Sequence, residues 1–169
     1  MRKTALCLWL LVPVGAVADD FPQRKSGLWE IQTAMTGQAS GNTMKQCIDA
    51  ASDAKMMRMG KDMGKKMGAN CAKNEFRKTN QNFISESDCT IDGMRMVSKT
   101  VFSGDFSSAY TGETTITYEP PVMGTREQKM TISARWIGPC EAGQQPGDIM
   151  LPGGMKMNIY SMGKLGGDR

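Results

Sequence analysis

The sequence predicts a mainly β domain of the α+β class: an antiparallel meander of about six to seven strands with one helical excursion between the second and third. Three observations point there. Apolar side chains alternate with polar ones over several separate stretches, the period-2 pattern of strands with one face on a core and the other in water. Those stretches are separated by turn chemistry such as Asp92-Gly93 and the Gly37 to Asn42 run. Only one stretch, from about Asp49 to about Gly68, has helical periodicity.

The chain opens with an address rather than an element. Arg2 and Lys3 precede an apolar run from Thr4 to Val14, and Ala16-Val17-Ala18 forms a small-x-small site, so residues 1–18 read as a signal peptide cleaved before Asp19. The run falls short of the roughly 20 apolar residues that span a bilayer. The expected location is the periplasm or the exterior. Residues 19–140 are expected to form a single disulfide-stapled domain, and 141–169 a mostly loose tail rich in Gly, Pro and Met.

The first strand is Ser26 to Met35, with Trp29, Ile31 and Met35 inward and Glu30 and Gln32 outward. After the turn, Thr43 to Cys47 is its hairpin partner. Asp49 then supplies an N-cap for the helix. At about 100° per residue, Met56, Met59, Met63 and Met67 fall within an arc of roughly 80°, with Lys55, Arg58, Lys61, Lys65 and Lys66 opposite. Gly60, Gly64 and Gly68 each cost roughly 1 kcal/mol against alanine, so the second half of the helix is expected to fray or break at Gly60.

Alternation returns after Cys71. Phe76, Phe83 and Ile84 mark two strands around Thr79 to Asn82, and Cys89-Thr90-Ile91 runs into the Asp92-Gly93 hairpin, with Met94 to Phe102 as the return strand. Tyr110, Thr114, Ile116 and Tyr118 set the core face of the next strand, which Pro120-Pro121 is expected to stop. Arg126 to Ile137 is the last clear strand, with Met130, Ile132, Ala134 and Trp136 inward. Beyond it, Met155 to Ile159 can add an edge strand.

Cys7 leaves with the leader, and Cys47, Cys71, Cys89 and Cys140 remain. An even number in an exported chain implies two disulfides, and sequence alone allows three pairings. The expected pairing is Cys47 with Cys71, closing the helical excursion, and Cys89 with Cys140. A zinc site is disfavoured by the spacing and by the absence of histidine.

The order of Ser26-Gly27-Leu28-Trp29-Glu30, Cys47 before an acidic helix start, Cys71, Cys89 and Arg135-Trp136-Ile137-Gly138-Pro139-Cys140 resembles the bacterial exported family filed as domain of unknown function 3617. The resemblance runs from about Lys25 to Cys140 and makes Gly27, Trp29 and Gly138 a structural signature. Ser26 stands where that family usually has proline, and the Met/Lys-rich helix and the tail look like local elaborations. The family implies a small periplasmic β-rich domain and no activity.

What is missing bounds the chemistry. With no histidine, Ser-His-Asp and Cys-His catalysis are excluded, and no phosphate-binding or dinucleotide fingerprint occurs. Without Arg2 and Lys3 the 21 basic residues fall to 19, against 17 acidic, a balance that gives no reason to expect nucleic acid. The cluster Glu86, Asp88 and Asp92 reads as a solvated face and a turn residue rather than a calcium site. No catalytic residue is assigned, and a monomer is expected.

Sixteen methionines are unusual. The face Met56, Met59, Met63 and Met67 is read first as adaptable packing. It also carries two functional expectations. The preferred one is a non-enzymatic binding or envelope-associated module for an apolar ligand or partner, with peripheral contact to an anionic membrane surface through the basic side of the helix. The alternative is a periplasmic Cu(I)-binding protein using thioether ligands, in which the tail residues Met150, Met155, Met157 and Met162 join. Otherwise no cofactor is expected.

Overall fold

The structure is a computed structural model that describes residues 21–37 and 41–162. Its elements in chain order are β1 (Gly27–Met35), β2 (Asn42–Ile48), α1 (Ala50–Lys66), β3 (Asn70–Lys78), β4 (Asn82–Ile91), β5 (Met94–Gly104), β6 (Ala109–Val122), β7 (Thr125–Gly138), β8 (Asp148–Met150), β9 (Lys156–Asn158) and α2 (Ile159–Met162). The strands form one antiparallel sheet in the order β3-β4-β5-β6-β7-β1-β2-β8-β9. The meander from β3 to β7 therefore ends against β1, and the first strand lies inside the sheet, between β7 and β2. The mainly β class and the single helix between β2 and β3 match the sequence reading, with nine strands rather than six or seven.

The two additional strands come from the segment expected to be loose. β8 pairs with β2 and β9 with β8, while Ile159 is 1% exposed and Asp148 3%. Asp148 accepts from Asn158 Nδ2 and from the Gln145 N–H, so a short polar network fixes a stretch that shows little apolar periodicity. The expected edge strand at Met155 to Ile159 is present as β9. Residues 163–169, like the leader and its cleavage site at Ala18, lie outside the described residues.

The registers place Trp29, Ile31 and Met35 of β1 beside Trp136, Ala134 and Met130 of β7, and Tyr110 beside Ala134 in turn. These belong to the inward sets read from alternation. With Ile48 and Phe106, the residues Trp29, Ile31, Tyr110 and Ala134 form the buried core. Phe106 comes from the loop after β5, where Asp105 accepts backbone N–H bonds from Ser107, Ser108 and Ala109 and turns the ring inward. Those N–H groups and the Ser108 hydroxyl hold the Asp105 carboxyl well below the usual carboxylate range.

Helix α1 is capped at both ends. Asp49 Oδ1 accepts the Ser52 N–H at 2.8 Å, and the Ser52 hydroxyl closes the box onto the Asp49 N–H. At the other end Gly68, at φ +72°, donates to Lys65 while Ala69 donates to Gly64, a Schellman closure. The break expected at Gly60 does not occur. Both ends are held, and α1 runs unbroken to Lys66.

Asp92-Gly93 forms the expected two-residue hairpin, both residues at positive φ between paired Ile91 and Met94. Met123-Gly124 does the same between Val122 and Thr125. Pro120-Pro121 does not stop β6, which continues to Val122. The β6·β7 register shifts between Thr117 and Val122, so the prolines sit where the ladder to β7 is interrupted and their missing donors cost little.

The disulfides are Cys47–Cys140 and Cys71–Cys89, not the expected pairs. The topology supplies the reason. Because β1 lies between β2 and β7, Leu28 faces both Cys47 and Gly138, which brings Cys140 to Cys47 across one strand. Cys71 and Cys89 are direct cross-strand partners in the β3·β4 hairpin. Reading α1 as a separately closed loop overlooked both adjacencies.

Candidate binding groove

The segment ahead of β1 is fastened by polar contacts that alternation cannot show. Arg24 is 4% exposed and Asp53, in the first turn of α1, 2%. Asp53 Oδ1 accepts from Arg24 Nε at 2.9 Å and Nη2 at 2.7 Å, and Oδ2 accepts the Arg24 backbone N–H at 2.9 Å. The remaining guanidinium nitrogen donates to Gln46 Oε1 at 3.0 Å and sits 3.5 Å from the Tyr110 hydroxyl. Burial pushes the Tyr110 phenol up, against the opposing pull of the Arg24 charge, so it stays protonated at neutral pH.

The signature residues join this clasp. Trp29, fully buried, donates its indole N–H to the Lys25 carbonyl, and Trp136 donates to the Ser26 carbonyl while Lys25 Nζ lies 3.6 Å from the Trp136 ring centroid. Gly27 has φ +133°, and a Cβ there would come within 2.5 Å of the Gly138 carbonyl oxygen and of the Trp136 indole nitrogen. Only glycine fits. Gly138, at φ +145°, ends β7 just before Cys140. Gly27 and Trp29 are thus held by close packing, and Gly138 by its backbone conformation.

Beyond the clasp, α1 stands off from the inner face of β3, β4 and β5, leaving a groove of about 650 Å³. Its helix side carries Ala54, Met57 and Arg58, with Asp53 at the back. Its sheet side carries Phe76, Phe102, Asn74, Ser85 and Thr100, and Phe21 with Pro22 and Gln23 forms the third edge. Phe21 lies 5.0 Å from the Phe76 ring centroid and 5.5 Å from that of Phe102. Phe76 in turn stacks on Phe83 at 5.9 Å. The sheet side and the third edge are aromatic, and the floor has the neutral hydroxyls of Ser85 and Thr100, the latter bonded to Thr114.

The methionine face divides. Met56 packs against the core, its sulfur 3.6 Å from Arg24 Nη2. Met59 is half-buried and Met67 57% exposed at the far end of α1, while the side chain of Met63 lies outside the described residues. The methionine that lines the groove is Met57, which the helical arc left out. Of the acidic cluster, Glu86 pairs with Lys73 and Arg77 and Asp88 with Arg95 on the outer face, and these partners hold both carboxyls below their ordinary range. No group of three or more His, Cys, Asp or Glu with metal-site geometry occurs among the described residues.

Residues 24–140 match the family described as protein of unknown function (DUF3617). The chain belongs to that family. No curated protein and no solved structure matches it. The DUF3617 span begins at Arg24 and ends at Cys140, so it takes in both sides of the Arg24–Asp53 pair and both disulfides. The helix and sheet walls of the groove fall inside the DUF3617 match, whereas Phe21 to Gln23, β8, β9 and α2 fall outside it. Sequence reading found the signature but missed Arg24, Asp53 and Phe21. Phe21 and Arg24 precede the first strand and Asp53 lies within the helix, so no period-2 alternation marks them.

Proposed function

We propose that this protein is an exported, non-enzymatic binding module that takes the apolar part of a small ligand into the groove between α1 and β3–β5. One observation carries the reading: a cavity of about 650 Å³, within the range of small-molecule sites, walled by Phe21, Phe76, Phe102 and Met57. Export is supported by the leader pattern in residues 1–18 and by two disulfides, which persist in oxidising compartments. Among the described residues the one lining carboxylate, Asp53, is engaged on both oxygens by Arg24, which leaves no free carboxylate there to act as a general base.

Ala54 is exposed on the helix wall, so a larger side chain there fills the groove without touching the core. The neutral, environment-sensitive dye N-phenyl-1-naphthylamine should bind the parent saturably at one site. Ala54→Trp should fold, melt near the parent and lose most of that binding. Dye uptake unchanged by Ala54→Trp would overturn the assignment of the site.

A further inference from the structure

Resting on the reading of the groove as an apolar ligand site, we propose that it selects single-chain amphiphiles ending in a carboxylate and that Arg58 holds the charged end. Among the described residues, two charged side chains line the groove, Asp53 and Arg58. Asp53 is buried and all of its bonds go to Arg24, which cancels its charge and closes its oxygens to a ligand. Arg58 stands four residues past Ala54 on α1, exposed, beside Met57 on the helix side of the groove whose sheet side carries Phe76 and Phe102. The lining therefore presents an apolar body site with one positive rim.

Neighbouring positions extend that sign. Lys65, exposed and two turns further along α1, falls on the same side of the helix as Ala54 and Arg58. Asp62, also exposed, is rotated further from the Ala54 and Met57 side. Asn74, Ser85 and Thr100 are neutral and add no competing charge on the floor. A planar guanidinium beside an apolar trough matches a carboxylate through paired N–H bonds while the chain lies against the rings. A neutral chain of the same length gains only the second part.

The test uses the mature disulfide-bonded protein, with dodecanoate and 1-dodecanol competing against the neutral dye below their micellar and solubility limits. Dodecanoate should compete about tenfold better than dodecanol, and Arg58→Gln should bring it down to the dodecanol value while leaving dodecanol unchanged. Equal competition by both in the parent, or dodecanoate affinity indifferent to Arg58→Gln, overturns the charge selection and leaves the apolar groove standing. Dye displacement by neither compound overturns the groove as a chain site. Binding to phosphatidylglycerol vesicles without displacement by monomeric dodecanoate assigns the basic rim to a membrane surface instead and overturns the proposal.

Discussion

The clasp around β1 and the wing formed by β3, β4 and β5 are built from the same kind of strand yet are held in opposite ways. In the clasp, Leu28, Trp29, Ile31, Cys47, Ile48 and Ala134 are all buried, and strands from the two ends of the matched span lie side by side. In the wing, β4 has no fully buried residue and β3 is exposed at all but one position. The wing is kept in place by local hairpins, a hairpin disulfide and ion pairs on its outer face. Stability is concentrated where distant parts of the sequence meet. The less buried wing leaves Phe76 lining the groove, while Phe102 lines it and also packs against the edge of the core.

The disulfides give the largest contrast between the two regions. Cys47–Cys140 spans 93 positions and Cys71–Cys89 spans 18. Restricting the unfolded chain contributes about 4.7 kcal/mol for the first and about 3.2 kcal/mol for the second at 25 °C. Replacing Cys47 and Cys140 together by alanine should therefore lower the urea midpoint more than replacing Cys71 and Cys89. Cys47 is also fully buried, so the loss there includes packing. A larger loss from the hairpin pair would mean that the wing, not the clasp, limits stability.

The buried ion pair comes next. Asp53→Ala leaves the Arg24 guanidinium at 4% exposure without its carboxylate, a change that costs about 3–5 kcal/mol. Arg24→Met combined with Asp53→Leu removes both charges and should recover most of that loss in urea unfolding. Phe76→Ala, on the half-exposed wing, should cost less than the roughly 3–5 kcal/mol of a fully buried ring and still abolish dye binding. If Phe76→Ala destabilised more than Asp53→Ala, the division between a holding region and a binding region would be wrong.

How much of this could be read in advance follows the same division. Alternation revealed the inner faces of β1, β6 and β7 because each strand carries its own record of burial, and Asp92-Gly93 and Asp49 announced a turn and a cap locally. The disulfide pairing was missed because it depends on which strands are neighbours, and nothing in β1 itself says that β7 returns to its free edge. The groove was missed in part for the same reason: Met57, Phe76 and Phe102 come from three separate elements and Phe21 from the segment ahead of β1. The methionine arc pointed at the correct helix but at a side of which Met56 packs on the core and Met67 is exposed, with Met57 about a quarter turn away.

Acid should erode the fold by smaller steps, through two carboxyls that lie outside the wing. Asp49 is held below its ordinary value by the Ser52 N–H and hydroxyl. For Asp148, burial acts upwards but is outweighed by Asn158, the Gln145 N–H and Lys156. A carboxyl with a depressed folded value binds fewer protons folded than unfolded. Its contribution is therefore complete above the unfolded value near ~4 and is lost as the pH falls through the lower folded value. Stability should be flat from neutral pH to about 5 and decline below about 4. Asp49→Asn retains a capping side chain and should cost under about 1 kcal/mol at neutral pH while flattening part of the acid decline. An unchanged acid profile would show that the α1 cap does not titrate as its contacts imply.

The smallest expected effect concerns the methionines, and it separates the groove from a thioether metal site. Changing Met59 and Met67 to leucine preserves apolar volume and removes two sulfurs from the α1 arc, at a cost usually under about 1.5 kcal/mol each. Met67 is 57% exposed, so most of any cost falls on Met59. Met57→Leu keeps the groove wall apolar and should shift dye affinity only slightly. In an apolar-ligand module all three changes leave competition against a Cu(I) chelator as it was in the parent, because sulfur is not the functional atom. In a thioether site, Cu(I) retention falls when Met59 and Met67 are replaced while folding and dye binding persist, since leucine has no lone pair to donate. The paired readouts, Cu(I) competition and dye binding on one variant, therefore decide whether the soft side chains of α1 serve the wing as wall material or as ligands.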